Sequence, residues 1–315
     1  MNSNHSLSNP DNSPRNPSPP GGPARGGIGV IGGSGIYHLE ELRNTSLEIF
    51  DTPFGPPSSP ILCGTYLDQE VFFIARHGLH HTLLPSEINY RANIFALKEL
   101  GVEWCISIGA GGSLVDKFGF GDLVVPDQII DHTKLRPTTF FGEGICAHVP
   151  FTEPYCRVLR RALTKAAHEV AHEQRFSCHD EGVYCCVEGP SYLTRAESAM
   201  MRSWGGGIVG MTSMPEARLA REAEISYASM VMITDYDIWD EEGRQGLPST
   251  EQVVRILHHR VESAKEIVFR TIERLTSLRP DPSVKCALDG AIVTNLKSIP
   301  EETKEALYPI LRRFL

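Results

Sequence analysis

Two acids, Asp235 and Asp237, close the run VMITDYDIW (231–239), whose first residues read as a buried strand. A carboxylate at the mouth of an apolar core is costly unless it is paired, hydrogen-bonded or neutralised. Burial and a nearby like charge both raise a carboxyl pKa, so this spacing can make one acid protonatable near neutral pH beside a second that accepts hydrogen bonds. Two other chemistries fit the same pair. One is a solvated turn or N-cap, where Asp is common; the other is half of an oxygen-ligand metal site, which would recruit further acids. Trp239 and the Met-Ile-Thr run before the pair favour a partly buried site.

Three segments could hold an anion. In GIGVIGGSGIY (27–37), Gly27-x-Gly29-x-x-Gly32 with Asp51 beyond it superficially matches a dinucleotide fingerprint, but the context fails. That motif needs a strand before its glycines and a helix opening from them; here a Pro/Gly stretch precedes, and the strand lies inside the motif. Strand Gly27–Ile31 followed by the loop Gly32–Gly35 fits better, with backbone N–H groups and the Ser34 hydroxyl able to turn toward an oxyanion, although a plain glycine turn fits this segment as well. VFFIARHGLHH (71–81) ends an apolar strand in Arg76-His77, a planar donor fork and a titratable donor at a strand's carboxyl end. His77, His80 and His81 have no suitably spaced Cys or acid to complete a metal set. IVGMTSMPEA (208–217) places Met211-Thr212 between a strand and a helix; the hydroxyl could reach an anion, while a cap or core threonine is the commoner fate.

Short apolar strand candidates alternate with amphipathic stretches to position these residues. The strands are 28–31, 71–75, 104–108, 122–125, 183–187, 208–211 and 225–233; the helices are 85–100, 154–172, 194–204, 215–224 and 249–278. This predicts an α/β fold with a mostly parallel or mixed central sheet covered by helices on both faces. Thr194-x-x-Glu197 and Ser213-x-x-Glu216 fit capping boxes. Residues 1–25, rich in Asn, Ser, Pro and Gly, are expected to be a disordered tail, residues 26–278 one domain, and residues 279–315 a helical extension packed on it. A net charge of -9 argues against nucleic acid. No apolar run reaches the roughly 18 residues of a membrane span, and a cytoplasmic location is expected. The eight cysteines lack C-x-x-C spacing and read as reduced structural thiols; the vicinal Cys185-Cys186 has no assigned role.

The segments GVIGGSGIY, DTPFGPPS, ARHG, LPSEINYRANIFALKELG, GAGGSL, VEGPSYLTRAES, GMTSMPEARLAREAEISYA and TDYDIW, collinear from about residue 28 to about 275, resemble the trimeric purine nucleoside phosphorylase family, specifically its 5'-methylthioadenosine phosphorylase branch. The resemblance implies a purine nucleoside phosphorylase-like single domain with a twisted mixed central β-sheet flanked by helices, and a homotrimer with its sites near subunit interfaces. It implies phosphorolysis with orthophosphate as co-substrate and no metal. Carried over by position, Ser34, Arg76, His77, Thr212 and the backbone of Ala110 bind phosphate. Met211 packs under the ribose, Tyr192 lines the base pocket, and Asp235 and Asp237 recognise the purine at N7 and N6. Thr250, Val253 and Val254 form the 5' pocket, with His148 reaching in from a neighbouring subunit.

The chemistry agrees with that placement. A purine anion is a poor leaving group, and an ordinary Asp near pKa 3.9 is only about 0.1% protonated at pH 7, roughly 4 kcal/mol short of serving as an acid. Asp235 is therefore expected to donate to N7 from a pKa-raising setting, and Asp237 to accept near a 6-amino group, favouring 6-aminopurines. Two departures stand out. Thr250 is more polar than the aliphatic residue often found there, which leaves room for adenosine, and Gly109 replaces a frequent threonine, removing a phosphate donor. A broader nucleoside phosphorylase that also takes adenosine or 6-oxopurines, or a nucleotide-binding protein without turnover, are the alternatives.

Overall fold

The structure is a computed structural model that describes residues 26–33, 36, 39–236 and 250–315; in the helix opening at Thr250 it describes side chains at 256 and from 260 onward. The expected tail, Ser34, Asp237 and the side chains of Thr250, Val253 and Val254 lie outside the described residues.

Eleven strands among the described residues form one mixed sheet: β1 (Gly27–Gly32), β2 (Arg43–Glu48), β3 (Ile61–Tyr66), β4 (Gln69–Ala75), β5 (Val102–Ser113), β6 (Leu123–Val124), β7 (Gln128–His132), β8 (Cys178–His179), β9 (Val183–Val187), β10 (Ile208–Gly210) and β11 (Ser226–Tyr236). Their order is β2-β3-β4-β1-β5-β10-β9-β7, with β11 pairing β5 and β6, and β6 pairing β8. The main helices are α1 (Tyr90–Glu99), α2 (Arg157–Gln174), α3 (Arg195–Ser203), α4 (Ser213–Glu222) and α5 (Thr250–Leu275), followed by the short α6 (Pro282–Lys285), α7 (Glu301–Ala306) and α8 (Tyr308–Leu311).

Side-chain alternation on β11 divides the core. Tyr227, Val231 and Ile233 join the cluster containing α1 and α4, while Ala228, Met230 and Met232 join that containing α2 and α5. A strand buried on both faces reads as an uninterrupted apolar run, which is why this one is visible in the sequence. The strands that sequence reasoning missed are β2, β3, β7 and β8; of these only β3, ILCGTY, opens on three apolar residues, and a glycine cuts that run short. The polar edge strand β2 is exposed along most of its length, β7 is half-buried, and β8 has two residues. Strand β5 was expected to stop at Ile108 but continues through Gly109–Gly112 to Ser113.

The first expected capping box forms: Thr194 Oγ1 accepts from Glu197 N, and the Glu197 carboxylate accepts from Thr194 N. The second does not. Thr212 is the N-cap of α4 without a side-chain cap, because Glu216 turns inward to pair with a buried arginine, and an unpaired buried charge would cost far more than a cap gains. Helix α1 begins at Tyr90 instead of Pro85, capped by Asn89, whose side chain accepts from Ala92 N at 3.2 Å. Beyond α5, Leu288, Ile299, Leu307, Ile310 and Leu311 enter the α1/α4 cluster, and Arg313 pairs with Glu224 and Asp289. The eight cysteines are free; Cys185 and Cys186 join different apolar clusters, as adjacent strand residues do.

Candidate active site

Strand β5 has a seam along one edge. Parallel β1 pairs it only as far as Ile31↔Ser107, and antiparallel β10 takes over at Val209↔Gly112. Residues 108–111 lie between these two partners, and Gly109 and Ala110 are the half-buried break in a stretch otherwise buried from Trp104 to Ser113. Strands β1 and β4 end beside the seam from one direction, while β10 enters from the other and delivers Met211-Thr212. A gap at the carboxyl ends of parallel strands is where open α/β sheets bind ligands.

Of the expected anion ligands, Arg76, Ala110 and Thr212 border this stretch. A Cβ on Gly33 would come within 2.5 Å of Ile108 O and 3.0 Å of Arg76 Nη1, so the glycine lets the loop lie against both. The Arg76 side chain is 1% exposed and meets Glu216 through a two-point clasp: Nε donates to Oε2 and Nη2 to Oε1, both at 2.9 Å. Nη1 donates to Ile108 O and Nη2 also to Ser107 Oγ. Ser107 and Tyr227 hydroxyls donate to the same Glu216 oxygen. The bidentate geometry read as suited to phosphate is thus spent on a carboxylate, and what Arg76 turns toward Gly33 is Nη1 alone. Thr212 is buried, and its Oγ1 is the nearest group, at 4.0 Å, to a Cβ placed on Gly109.

His77 is also buried. Its Nδ1 lies 2.9 Å from Leu83 O, and a carbonyl can only accept, so the proton sits on Nδ1 and Nε2 carries the lone pair. Burial, helped by the Arg76 charge, pushes its pKa down to about 4, and its ring stacks on His81 at 4.4 Å. The side chain expected as a donor is therefore an acceptor at Nε2.

The acid end lies at the far side of the seam. Between Ile233↔Gly111 and Asp235↔Gly112 the β11 register slips by one residue. Strict alternation would keep Asp235 on the side of Val231 and Ile233; the bulge at Thr234 instead brings it against Gly112, where a Cβ would be 2.8 Å from Asp235 Oδ2. Asp235 is 6% exposed, and burial raises its pKa, opposed by the Thr234 hydroxyl, which donates to Oδ1 at 2.8 Å. Burial thus moves this carboxyl toward its protonated form.

The other expected residues spread outward. Met211 packs on Gly189, where a Cβ would collide with its sulfur. Tyr192, on the segment after β9, is 45% exposed. His148 is exposed, its ring 3.7 Å from Cys146 Sγ. Sequence reasoning missed Ser107 and Glu216 behind Arg76. It also missed Arg136, a buried guanidinium that donates to Glu188, Tyr90 and the carbonyls of Met211 and Met214. Among the described residues no three His, Cys, Asp or Glu side chains group to hold a metal ion, and no helix is long and apolar enough to cross a membrane.

A sequence model described as the phosphorylase superfamily matches residues 27–273. The S-methyl-5'-thioadenosine phosphorylase of Gloeobacter violaceus is 44% identical over 287 residues, covering 91% of this chain and 95% of its own. The crystal structure of a methylthioadenosine phosphorylase from an antarctic soil metagenomic library superposes with a TM-score of 0.85 at 39% identity, covering 91% of this chain and 99% of that one. The enzyme of that name from Schistosoma mansoni, solved with adenine, gives 0.79 at 31% identity over 85% of this chain and 99% of its own. By the extent of these matches the chain belongs to the phosphorylase superfamily and, within it, to the family of the S-methyl-5'-thioadenosine phosphorylases.

Proposed function

We propose that this chain catalyses phosphorolysis of S-methyl-5'-thioadenosine to adenine and 5-methylthioribose 1-phosphate. An oxygen of orthophosphate attacks the anomeric carbon as the bond to N9 breaks and its electron pair passes into the purine. The bound anion stabilises an oxocarbenium-like sugar, and Asp235 supplies the hydrogen at N7. Thr212, the Gly33–Ser34 loop, Ala110 and Arg76 hold the phosphate, with His77 Nε2 accepting the proton of monohydrogen phosphate. Met211 packs under the sugar, Tyr192 beside the base, and Asp237 accepts from the 6-amino group. Thr250, Val253 and Val254 take the methylthio end with His148 of a neighbouring subunit in a homotrimer. The reading includes a cytoplasmic enzyme that needs no metal.

The carrying observation is the buried Asp235, its pKa raised by burial, against Gly112, three residues along β5 from the glycine beside which Thr212 and the Gly33 backbone meet. The test is adenine release from methylthioadenosine with and without phosphate, with adenosine and inosine alongside. Phosphate-dependent release from the two 6-amino substrates and little from inosine is expected. Equal use of inosine would favour the broader phosphorylase, and tight nucleoside binding without release would favour a binding protein.

A further inference from the structure

Arg136, on the segment after β7, takes part in no step of the proposed reaction, yet its guanidinium is buried and its donors are all engaged. Nη1 lies 2.6 Å from Met211 O, 2.7 Å from Met214 O and 3.0 Å from Tyr90 OH. Nη2 lies 2.8 Å from Glu188 O and 3.3 Å from Val187 O, and Nε donates to Glu188 Oε1 at 2.8 Å. The other Glu188 oxygen accepts from the backbone N–H of Lys134 and of Leu135, which fixes the segment that carries the arginine. The guanidinium also lies over the Tyr90 ring, 5.4 Å from its centroid.

These partners belong to two different parts of the site. Met211 and Met214 flank the Thr212-Ser213 dipeptide, so one nitrogen bridging their carbonyls fixes how Thr212 is presented to the anion. Val187 ends β9, and Glu188 leads on through Gly189, on which Met211 packs, to Tyr192. The guanidinium hydrogen-bonds both segments, beside the Cys186 thiol of β9, which meets the N–H and carbonyl of Met214. A planar fork that donates in several fixed directions is needed; a lysine ammonium, a compact point charge on a flexible stem, cannot replace it.

We propose that Arg136 is a positioning residue that couples the phosphate segment, 211–214, to the base segment, 187–192, so that occupation of one orders the other. This rests on the function proposed above. Coupling between two ligands is reciprocal, so phosphate tightens adenine binding in the wild-type chain, and the effect passes through the guanidinium.

The experiment compares wild type with Arg136→Lys, Thr212→Ala and Tyr192→Ala in steady-state kinetics, and measures adenine affinity by calorimetry with and without saturating inorganic phosphate. Arg136→Lys is expected to lower kcat about 100-fold, the cost of a small misplacement of reacting groups, and to raise both Michaelis constants. Thr212→Ala is expected to raise chiefly that for phosphate, and Tyr192→Ala that for the nucleoside. Phosphate is expected to tighten adenine about tenfold in wild type, within the usual range of coupling between sites, and not at all in Arg136→Lys. Guanidinium added to Arg136→Ala is expected to recover about tenfold in kcat by refilling the vacated position, which a purely structural role would not allow. Should the lysine variant fail to fold, Glu188→Gln, which keeps an acceptor for Nε, is expected to show the same loss of coupling in milder form. Folded Arg136→Lys, or Glu188→Gln in its place, with wild-type kinetics and coupling overturns the inference alone. A wild-type chain that neither turns over nor binds adenine or phosphate overturns it together with the proposed function.

Discussion

Asp235 Oδ2 lies against Gly112, 2.8 Å from where a Cβ on that glycine would stand. Gly112→Ala must therefore shift the carboxylate or the strand. The expected result is a kcat lowered about 10- to 100-fold at an unchanged phosphate Michaelis constant. Asp235→Asn, which can donate a hydrogen bond but cannot transfer a proton, is expected to lose about 10²- to 10⁴-fold. Because burial raises the Asp235 pKa, the wild-type rate should fall as pH rises through it, and the Asn variant should lack that limb. An alanine variant with wild-type turnover would remove Asp235 from the chemistry.

Gly109 offers an addition. The nearest group to a Cβ there is Thr212 Oγ1 at 4.0 Å, so a Cβ is admitted without displacing backbone, and a threonine hydroxyl on it would start beside Thr212. Gly109→Thr is expected to lower the phosphate Michaelis constant about tenfold, matching the roughly 1.5 kcal/mol of a hydrogen bond to a charged group. Initial rates across a phosphate series decide it, and an unchanged or higher constant counts against the placement of phosphate at the seam.

The Arg76–Glu216 pair separates stability from binding. Glu216→Ala leaves a buried guanidinium unpaired and is expected to cost about 3–5 kcal/mol in urea unfolding. The double replacement Arg76→Met with Glu216→Leu removes both charges and should regain most of that stability, since apolar residues often replace buried pairs without loss. Phosphate affinity should remain poor. Recovery of both properties together would mean that Arg76 serves the fold alone.

Two buried groups give opposite pH dependences of stability. Glu222 accepts from Thr139 Oγ1 and Phe140 N, and burial pushes its pKa from 4.5 up to about 7. Between those values the folded chain keeps a proton that the unfolded chain has released, so this contribution is lost as pH rises. Glu222→Gln should therefore gain stability relative to wild type at pH 8 but not at pH 5, by up to about 3 kcal/mol. For His77, lowered from 6.5 to about 4, the unfolded chain takes up the proton first, and stability is lost as pH falls through that window. Thermal melts of Glu222→Gln and His77→Gln across pH 4 to 8 check both signs.

The sequence made visible what depends on uninterrupted apolar runs or local signals. Strands β1, β4, β9, β10 and β11, the Thr194 capping box and the position of Arg76 at the end of β4 were all legible for that reason. Edge strand β2 was not, because an exposed strand needs no apolar run. The extension of β5 was not, because Gly109–Gly112 carry no strand propensity and extend only because β11 and β10 pair with them. The Glu216 clasp joins residues 140 apart and imitated a capping box. The bulge at Thr234 and the grip of Arg136 are properties of register and burial, which no local spacing encodes.

One wall of the seam from Ile108 to Gly111 is main chain, and its position is set by the strands beside it. Such a wall cannot be deleted by changing a side chain. It can only be obstructed, as Gly111 shows: a Cβ there would meet Val209 O at 2.7 Å. Along this stretch mutation acts by crowding, so harmful substitutions are those that add atoms, and improvements arise where, as at Gly109, the added atoms have somewhere to go.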